Sequence, residues 1–213
     1  MNEYVTDEEQ VERIKAWWKD NGGSVVAGLV IGIGGFLGWM YWQDHQAKVS
    51  AEASAHFDDM IQQFEQQQYD SATGEAQVLF DEYGSSSYAE MARLTLARIH
   101  VEQKSFDQAV AQLKTLMSET QDSGIEMVAR RRLAAVLYQQ GEYDQALSQL
   151  EIDYPEPYTA AFEELKGDIL VAKGNNELAR EAYQKARLAQ PSAPNPQFLQ
   201  QKLEDLGQAS SNG

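Results

Sequence analysis

Cysteine is absent from all 213 residues of this sequence, and basic residues are scarce. Without cysteine, the chain has no disulfides, no thiolate metal sites and no cysteine nucleophile, although it tolerates an oxidising compartment. The 17 Lys and Arg residues face 33 Asp and Glu residues, which gives a formal net charge of −16 at pH 7. Because a chain this acidic repels nucleic acid and anionic lipid, we expect no nucleic-acid partner.

Charge of either sign is missing from residues 21–43, where residues 24–42 read SVVAGLVIGIGGFLGWMYW. As a helix this run would be roughly 28 Å long, close to the ~30 Å hydrocarbon core of a bilayer, so a transmembrane helix is predicted over residues 22–43. A cleaved signal peptide is disfavoured, because the start is acidic and no small-residue site follows the run directly. A buried helix of a soluble core is disfavoured too, since nothing else in the chain is apolar enough to surround it.

The flanks of the predicted span differ in basic residues. Three lie within a dozen residues before it, Arg13, Lys15 and Lys19, whereas Lys48 stands alone in the first fifteen residues after it. The basic side of a span tends to stay in the cytoplasm, so the N-terminus is predicted to be cytoplasmic. Residues 1–21 are predicted to be a cytoplasmic tail with a short amphipathic helix, which ends near the Asn-Gly-Gly at residues 21–23.

The glycines of the span lie on one side of the predicted helix. At about 100° per residue, the small residues fall within an arc of roughly 160°, and bulky residues crowd the opposite side. Small residues four apart let two helix backbones approach closely in lipid. A helix-packing face is therefore predicted at Gly28, Gly32, Gly35 and Gly38, against a second copy or a different protein. The alternative is that glycine is simply common in membrane helices.

The rest of the chain contains an internal repeat. The sequence FDQAVAQL at residues 106–113 recurs as YDQALSQL at residues 143–150, and a third copy, NELAREAY, stands at residues 176–183. These copies resemble tetratricopeptide repeats, in which a small residue of helix A meets a small residue of helix B twelve positions later. The matching pairs are Ala97 with Ala109, Ala134 with Ala146, and Gly167 with Ala179; turn glycines stand at Gly141 and Gly174, where the first copy has Lys104.

The predicted fold class is therefore all-α: a single N-terminal transmembrane helix followed by a tetratricopeptide-like helical solenoid. The repeat domain is assigned to residues 44–206, with a degenerate first copy around Ala72 and a terminal capping helix at residues 197–206. Residues 207–213 are expected to be a disordered tail.

Little in the chain indicates catalysis. The three histidines, His45, His56 and His100, are too far apart to form a recognisable metal motif, so no catalytic residue, metal, cofactor or small-molecule substrate is expected. The basic run at residues 130–132 is interpreted mainly as ion-pair partners of neighbouring carboxylates, and less readily as a ligand site. Three aromatic residues could contact a partner, although core packing is favoured for each: Tyr88, Tyr158 and Phe162.

The carboxylate clamp of some tetratricopeptide domains needs Asn directly after the small residue of helix A. Arg98, Ala135 and Asp168 stand there instead, so that specificity is not carried over.

Taken together, the acidic tail, the span ending in Gly-Trp-Met-Tyr-Trp at residues 38–42 and the degenerate repeats resemble the YfgM family of Gram-negative bacteria. The resemblance implies an ancillary subunit of the Sec translocon, in the inner membrane with its repeat domain in the periplasm. It further implies that the protein works beside the membrane-anchored chaperone PpiD on secreted polypeptides. Two alternatives are a membrane-bound regulator that sequesters a cytoplasmic signalling protein through its tail, and an envelope enzyme.

Overall fold

A computed structural model describes residues 7–189 and 195–211 of the chain. Within these ranges all regular elements are helices. They are α1 (Asp7–Glu65), α2 (Tyr69–Glu82), α3 (Ser87–Glu102), α4 (Phe106–Glu119), α5 (Ser123–Gln139), α6 (Tyr143–Leu150), a single 3₁₀ turn (Glu156–Tyr158), α7 (Thr159–Ala172), α8 (Asn176–Leu188) and α9 (Pro196–Ser211). This confirms the predicted all-α class. The chain divides into two compact units, Met1–Glu52 and Ala53–Gly213, which are described separately.

The first unit is the greater part of α1, and it is helical from Asp7 onward. Its apolar stretch is long and apolar enough to cross a membrane, and it is the one such helix in the described ranges. The break predicted near residues 21–23 does not occur. A helical glycine costs only about 0.5–1 kcal/mol relative to alanine and does not interrupt the backbone hydrogen bonds, and no proline is present. The Asn21 side chain donates to the Trp17 carbonyl at 3.0 Å instead of capping a helix end.

The second unit consists of stacked helical hairpins. Helices α3 and α4, α5 and α6, and α7 and α8 form the three predicted copies, and each hairpin packs on the next through one continuous apolar core. Each hairpin has one apolar side, so only its neighbours can remove that side from water. Two starts are fixed by side-chain caps: Ser86 accepts from the amide of Ala89, and Asp122 accepts from the amides of Gly124 and Ile125.

The degenerate first copy is present as the end of α1 together with α2. A second apolar cluster joins them to α3, and its members include Ala53, Met60, Ala72 and Leu79, all with 0% exposure. His56 adds a polar contact, since its Nδ1 lies 2.8 Å from Oε2 of Glu75. The helix predicted to run on from the membrane span does so, because α1 continues to Glu65.

The capping helix α9 is longer than predicted. It extends to Ser211, so residues 207–211, for which a disordered tail is predicted, are helical. Gly207 is tolerated inside the helix for the same energetic reason as the glycines of α1, and the residues that follow it include no proline. The last two residues of the predicted tail lie outside the described part of the chain.

Candidate functional site

The glycine face of α1 is open. Apart from its chain neighbours and the backbone of its own helical turns, a Cβ atom added at Gly28, Gly32, Gly35 or Gly38 would meet no atom within 4 Å, and the same holds at Gly34. Residues 23–43 are all exposed within their own unit, including Leu29 at 59% and Ile33 at 52%. A surface without Cβ atoms is the geometry that allows a second helix to approach closely and gain van der Waals contact in lipid. The helix-packing face remains a prediction, with its geometry now defined.

Aromatic side chains border the span at both ends. The rings of Trp17 and Trp18 lie 6.4 Å apart before it, and those of Phe36 and Trp39 lie 6.5 Å apart near its other end. The Trp18 ring also lies over Gly22, where an added Cβ would come within 3.2 Å of it. The amphipathic indole rings of the tryptophans favour the headgroup region of a bilayer.

The small residues of the repeat framework lie where helices A and B cross. Ala109, Ala134, Ala146 and Ala179 are fully buried, and Ala97 is 3% exposed. Gly167 has no space for a side chain, because an added Cβ would lie 2.3 Å from Cε1 of Tyr183. Close packing of this kind leaves no room for a larger side chain.

The turn positions between helices A and B share one backbone conformation. Gly141 and Gly174 both have φ +79°, and Lys104 adopts φ 59° at the same place in the first copy. Gln67, at the turn between α1 and α2, has φ 60°. The left-handed region is unstrained for glycine and costs other residues about 1 kcal/mol or more, so the repeat geometry is strong enough to impose it on lysine.

A charged network connects α9 to the last hairpin, and no sequence pattern predicts it. The Lys202 ammonium donates to Asp168 Oδ1 and Oδ2 at 2.7 and 2.9 Å and to Glu164 Oε1 at 2.9 Å. The Tyr183 hydroxyl donates to Asp168 Oδ1 at 2.7 Å. Burial opposes the charge on Lys202, but its hydrogen bonds to the two carboxylates outweigh burial and raise its pKa. Burial, reinforced by the Asp168 carboxylate, raises the pKa of Tyr183. In the sequence, the acidic residue Asp168 is the one hint of this network. Its partner Lys202 lies 34 residues further along the chain, so no local pattern connects the two.

Glu163 is the one buried charged residue in the described part of the chain, at 6% exposure. Its Oε1 accepts a hydrogen bond from the Tyr154 hydroxyl at 3.0 Å. Burial, the Glu163 charge and this hydrogen bond raise the pKa of Tyr154 to about 12. The hydrogen bond attaches the segment between α6 and α7 to α7 itself. It also offsets part of the cost of burying the Glu163 carboxylate.

The three consecutive arginines of α5 have different surroundings. Arg130 pairs with Glu126 at 2.6 Å, as the ion-pair interpretation predicts. Arg132 instead donates to the carbonyl of Leu94 at 3.2 Å, and Arg131 is exposed. Neither of these two forms an ion pair with a carboxylate of the described residues, so for them the ion-pair interpretation is wrong.

The aromatic residues considered as partner contacts are packing residues, as favoured. Phe162 is 1% exposed, and its ring lies 6.2 Å from that of Tyr158. Tyr88 packs against Phe57 with ring centroids 5.9 Å apart.

Comparison with known proteins identifies both the fold and the family. A family model described as "Tetratricopeptide repeat-like domain" matches residues 15–208. A solved structure, "MamA 41-end" from Desulfovibrio magneticus RS-1, is similar with a TM-score of 0.55 and 15% identity, covering 75% of this chain and 92% of that chain. That likeness bears on the fold alone.

Three curated relatives carry the name "Ancillary SecYEG translocon subunit". The protein of Aggregatibacter actinomycetemcomitans is 34% identical over 95% of this chain and 98% of its own length. That of Escherichia coli K12 is 28% identical over 97% of this chain and 99% of its own length. The Haemophilus influenzae protein is 40% identical over 62 residues, 29% of this chain and 30% of that relative. Near-complete coverage by a 34% identical relative, together with the repeat-domain match, shows that the chain belongs to the YfgM family, whose curated members are named ancillary SecYEG translocon subunits.

Proposed function

We propose that this protein is an ancillary subunit of the Sec translocon, anchored in the inner membrane by one helix. The observation that supports this most strongly is the end-to-end similarity to relatives named for that role, which covers the membrane span as well as the repeats. The orientation proposed from the basic residues before the span puts the N-terminus in the cytoplasm and the repeat domain in the periplasm.

The open glycine face of α1 supplies a surface through which this association can form. Helices associate in lipid through close packing, since lipid tails are as apolar as leucine and provide no hydrophobic driving force. The face at Gly28, Gly32, Gly35 and Gly38 is free of side-chain obstruction within its unit. We assign it to contact with a transmembrane helix of the translocon.

The repeat domain is assigned a scaffolding role without catalysis. Tetratricopeptide-like solenoids present extended surfaces to other polypeptides, and function resides in the sites on them. In this proposal the domain holds a PpiD-like, membrane-anchored periplasmic chaperone close to the translocon exit, where secreted chains emerge.

The decisive experiment is photo-crosslinking within the membrane. A photoreactive residue is placed in turn at Gly28, Gly32 and Gly35 of the full-length chain, with Leu29 and Ile33 on the bulky side as matched controls. Crosslinks to a translocon subunit from the glycine positions, and few from the control positions, are expected. Crosslinks only to lipid or to a second copy of the chain would overturn the assignment.

A parallel experiment tests the alternative role of the tail as a regulator. Deleting residues 1–20 while keeping the span should leave the crosslinks to the translocon unchanged. If the deletion abolishes the cellular function and removal of the repeat domain does not, the regulatory alternative is correct. Co-purification of a PpiD-like chaperone with the full-length chain, lost when the repeat domain is removed, would support the proposed partner.

A further inference from the structure

An apolar pocket lies between α3 and α5, the A helices of the first two complete repeats. Leu94, Ala97 and Val101 of α3 line the pocket together with Val136 of α5 and Leu113 of α4. Its volume is about 210 Å³. An engineered protein cavity of roughly 150 Å³ binds benzene, so this pocket can accept one side chain of the size of Leu or Phe.

Two arginines border the pocket. Arg132 is half-buried and donates Nη1 to the Leu94 carbonyl at 3.2 Å, which fixes the guanidinium at the edge. Within the described part of the chain its other N–H groups have no protein acceptor. The Arg98 guanidinium lies 4.8 Å from the centre of the Phe64 ring, and its closest carboxylate contact, to Glu102, is a long 3.7 Å on a side chain that is 64% exposed.

Positive charge is therefore concentrated at this pocket in a chain with a net charge of −16. Burial lowers the pKa of Arg132, and the neighbouring cations Arg131 and Arg98 act in the same direction. An arginine stays charged under all ordinary conditions, so the cost of holding these cations together is not relieved by losing a proton. A carboxylate brought to the pocket would relieve it, and guanidinium groups bind carboxylates through two parallel hydrogen bonds.

We propose that this pocket is a docking site for a polypeptide segment in which one Leu or Phe stands next to one Asp or Glu. The apolar side chain fills the pocket, the carboxylate binds Arg98 and Arg132, and the Gln139 side chain, which also borders the pocket, is available to the peptide backbone. Because the surrounding surface is acidic, segments with several carboxylates are repelled. The proposal rests on the proposed function, since it gives the scaffolding domain a binding chemistry.

Peptide titration of the full-length chain tests the proposal. The protein is reconstituted in phosphatidylcholine nanodiscs and titrated calorimetrically with a decapeptide that carries one Phe-Asp pair among Gly and Ser; empty nanodiscs are the reference. Replacing Phe-Asp with Phe-Asn, and separately with Ala-Asp, is expected to weaken binding about fivefold or more in each case. The preference for Asp over Asn should shrink as salt is raised.

Variants locate the binding site. Arg98→Gln should weaken binding of the Phe-Asp peptide about fivefold and leave binding of the Phe-Asn peptide unchanged. Ala135→Phe, which places a ring at the pocket wall, should abolish binding of both peptides. Lys114→Gln is the matched control: it removes one positive charge from an exposed position of α4 outside the pocket and should change nothing.

Two results would overturn the proposal: no measurable binding of the Phe-Asp peptide, or equal weakening by Arg98→Gln and Lys114→Gln. Thermal unfolding of Ala135→Phe shows whether that variant is folded. If Ala135→Phe is not folded, Arg98→Gln still tests the site. The titration contains no translocon and the membrane crosslinking does not involve the pocket, so either proposal can fail alone.

Discussion

At the scale of single residues, Gly167 has the least room for an added side chain among the glycines of the repeat domain. The position where a Cβ would stand is occupied by the Tyr183 ring, at 2.3 Å. That ring is 3% exposed and its hydroxyl is held by Asp168, so it has little freedom to shift. The absence of a side chain is therefore required here by packing, since Gly167 lies within helix α7 and its φ is not in the left-handed region.

We predict that Gly167→Ala lowers the free energy of unfolding by about 1–3 kcal/mol, the usual cost of overpacking a core. The matched control is Gly74→Ala, at an exposed position of α2 where a Cβ meets nothing within 4 Å. It should raise stability by about 0.5–1 kcal/mol through helix propensity. Urea unfolding of the purified chain in detergent measures both, and equal changes in the two variants would contradict the packing argument.

Lys104 shows that the geometry of the repeat, more than the residue type, imposes the turn conformation. It has φ 59°, close to the +79° of Gly141 and Gly174, although lysine gains nothing from that conformation. We predict that Lys104→Gly stabilises the domain by about 1 kcal/mol, because it removes the left-handed penalty at an exposed site. Gly174→Ala should destabilise by a similar amount. The same urea titration measures both, and a loss of stability in Lys104→Gly would refute the prediction.

At the scale of elements, α9 is held by charge as well as by apolar contact. Leu199 and Leu206 bury against the last hairpin, with 0% and 5% exposure. Lys202, between them, reaches both Asp168 and Glu164 of α7. A helix attached along one side only would otherwise be the first part of a solenoid to open.

We predict that Lys202→Met releases α9 locally. Both carboxylates lose the ammonium, and hydrogen bonds to charged groups contribute about 1.5–3 kcal/mol each when partly buried. Hydrogen exchange of the α9 amides should then become at least tenfold faster, while that of α5 stays unchanged. Lys185→Met is the control, because Lys185 is 62% exposed and its ammonium lies 3.9 Å from Glu163 Oε1, which is long for an ion pair. Similar exchange rates in α9 for both variants would show that the network does not hold the helix.

At the scale of the whole molecule, the central prediction concerns orientation. The chain has no cysteine, so single cysteines can be introduced without background. We predict that Gln201→Cys reacts with a membrane-impermeant maleimide in cells with a permeabilised outer membrane, because the proposed orientation puts the repeat domain in the periplasm. Gln10→Cys should react only after the inner membrane is disrupted. The reverse pattern would place the repeat domain in the cytoplasm and remove the proposed contact with a periplasmic chaperone.

Much of this molecule could be predicted because its signals are local or periodic. The uncharged run at residues 21–43 identifies the apolar helix by composition alone, and the repeat spacing identifies the small residues Ala97, Ala109 and Gly167. Errors arose at element ends. Asn21 and the glycines after it have weak helix propensity, which the continuous backbone hydrogen bonding of α1 overrides, and α9 extends five residues beyond its predicted end.

By itself, then, the sequence determined the long apolar helix, the repeat register and the family, because hydrophobic length and residue spacing are properties of the chain. Only the tertiary structure decided which arginine is paired and which is not. Arg130 meets Glu126 one turn away, whereas Arg132 reaches Leu94, which is 38 residues distant, and stands with Arg98 at an apolar pocket. Contacts between repeats depend on how the helices stack, and helix stacking follows from the packing of whole faces, which no local pattern encodes.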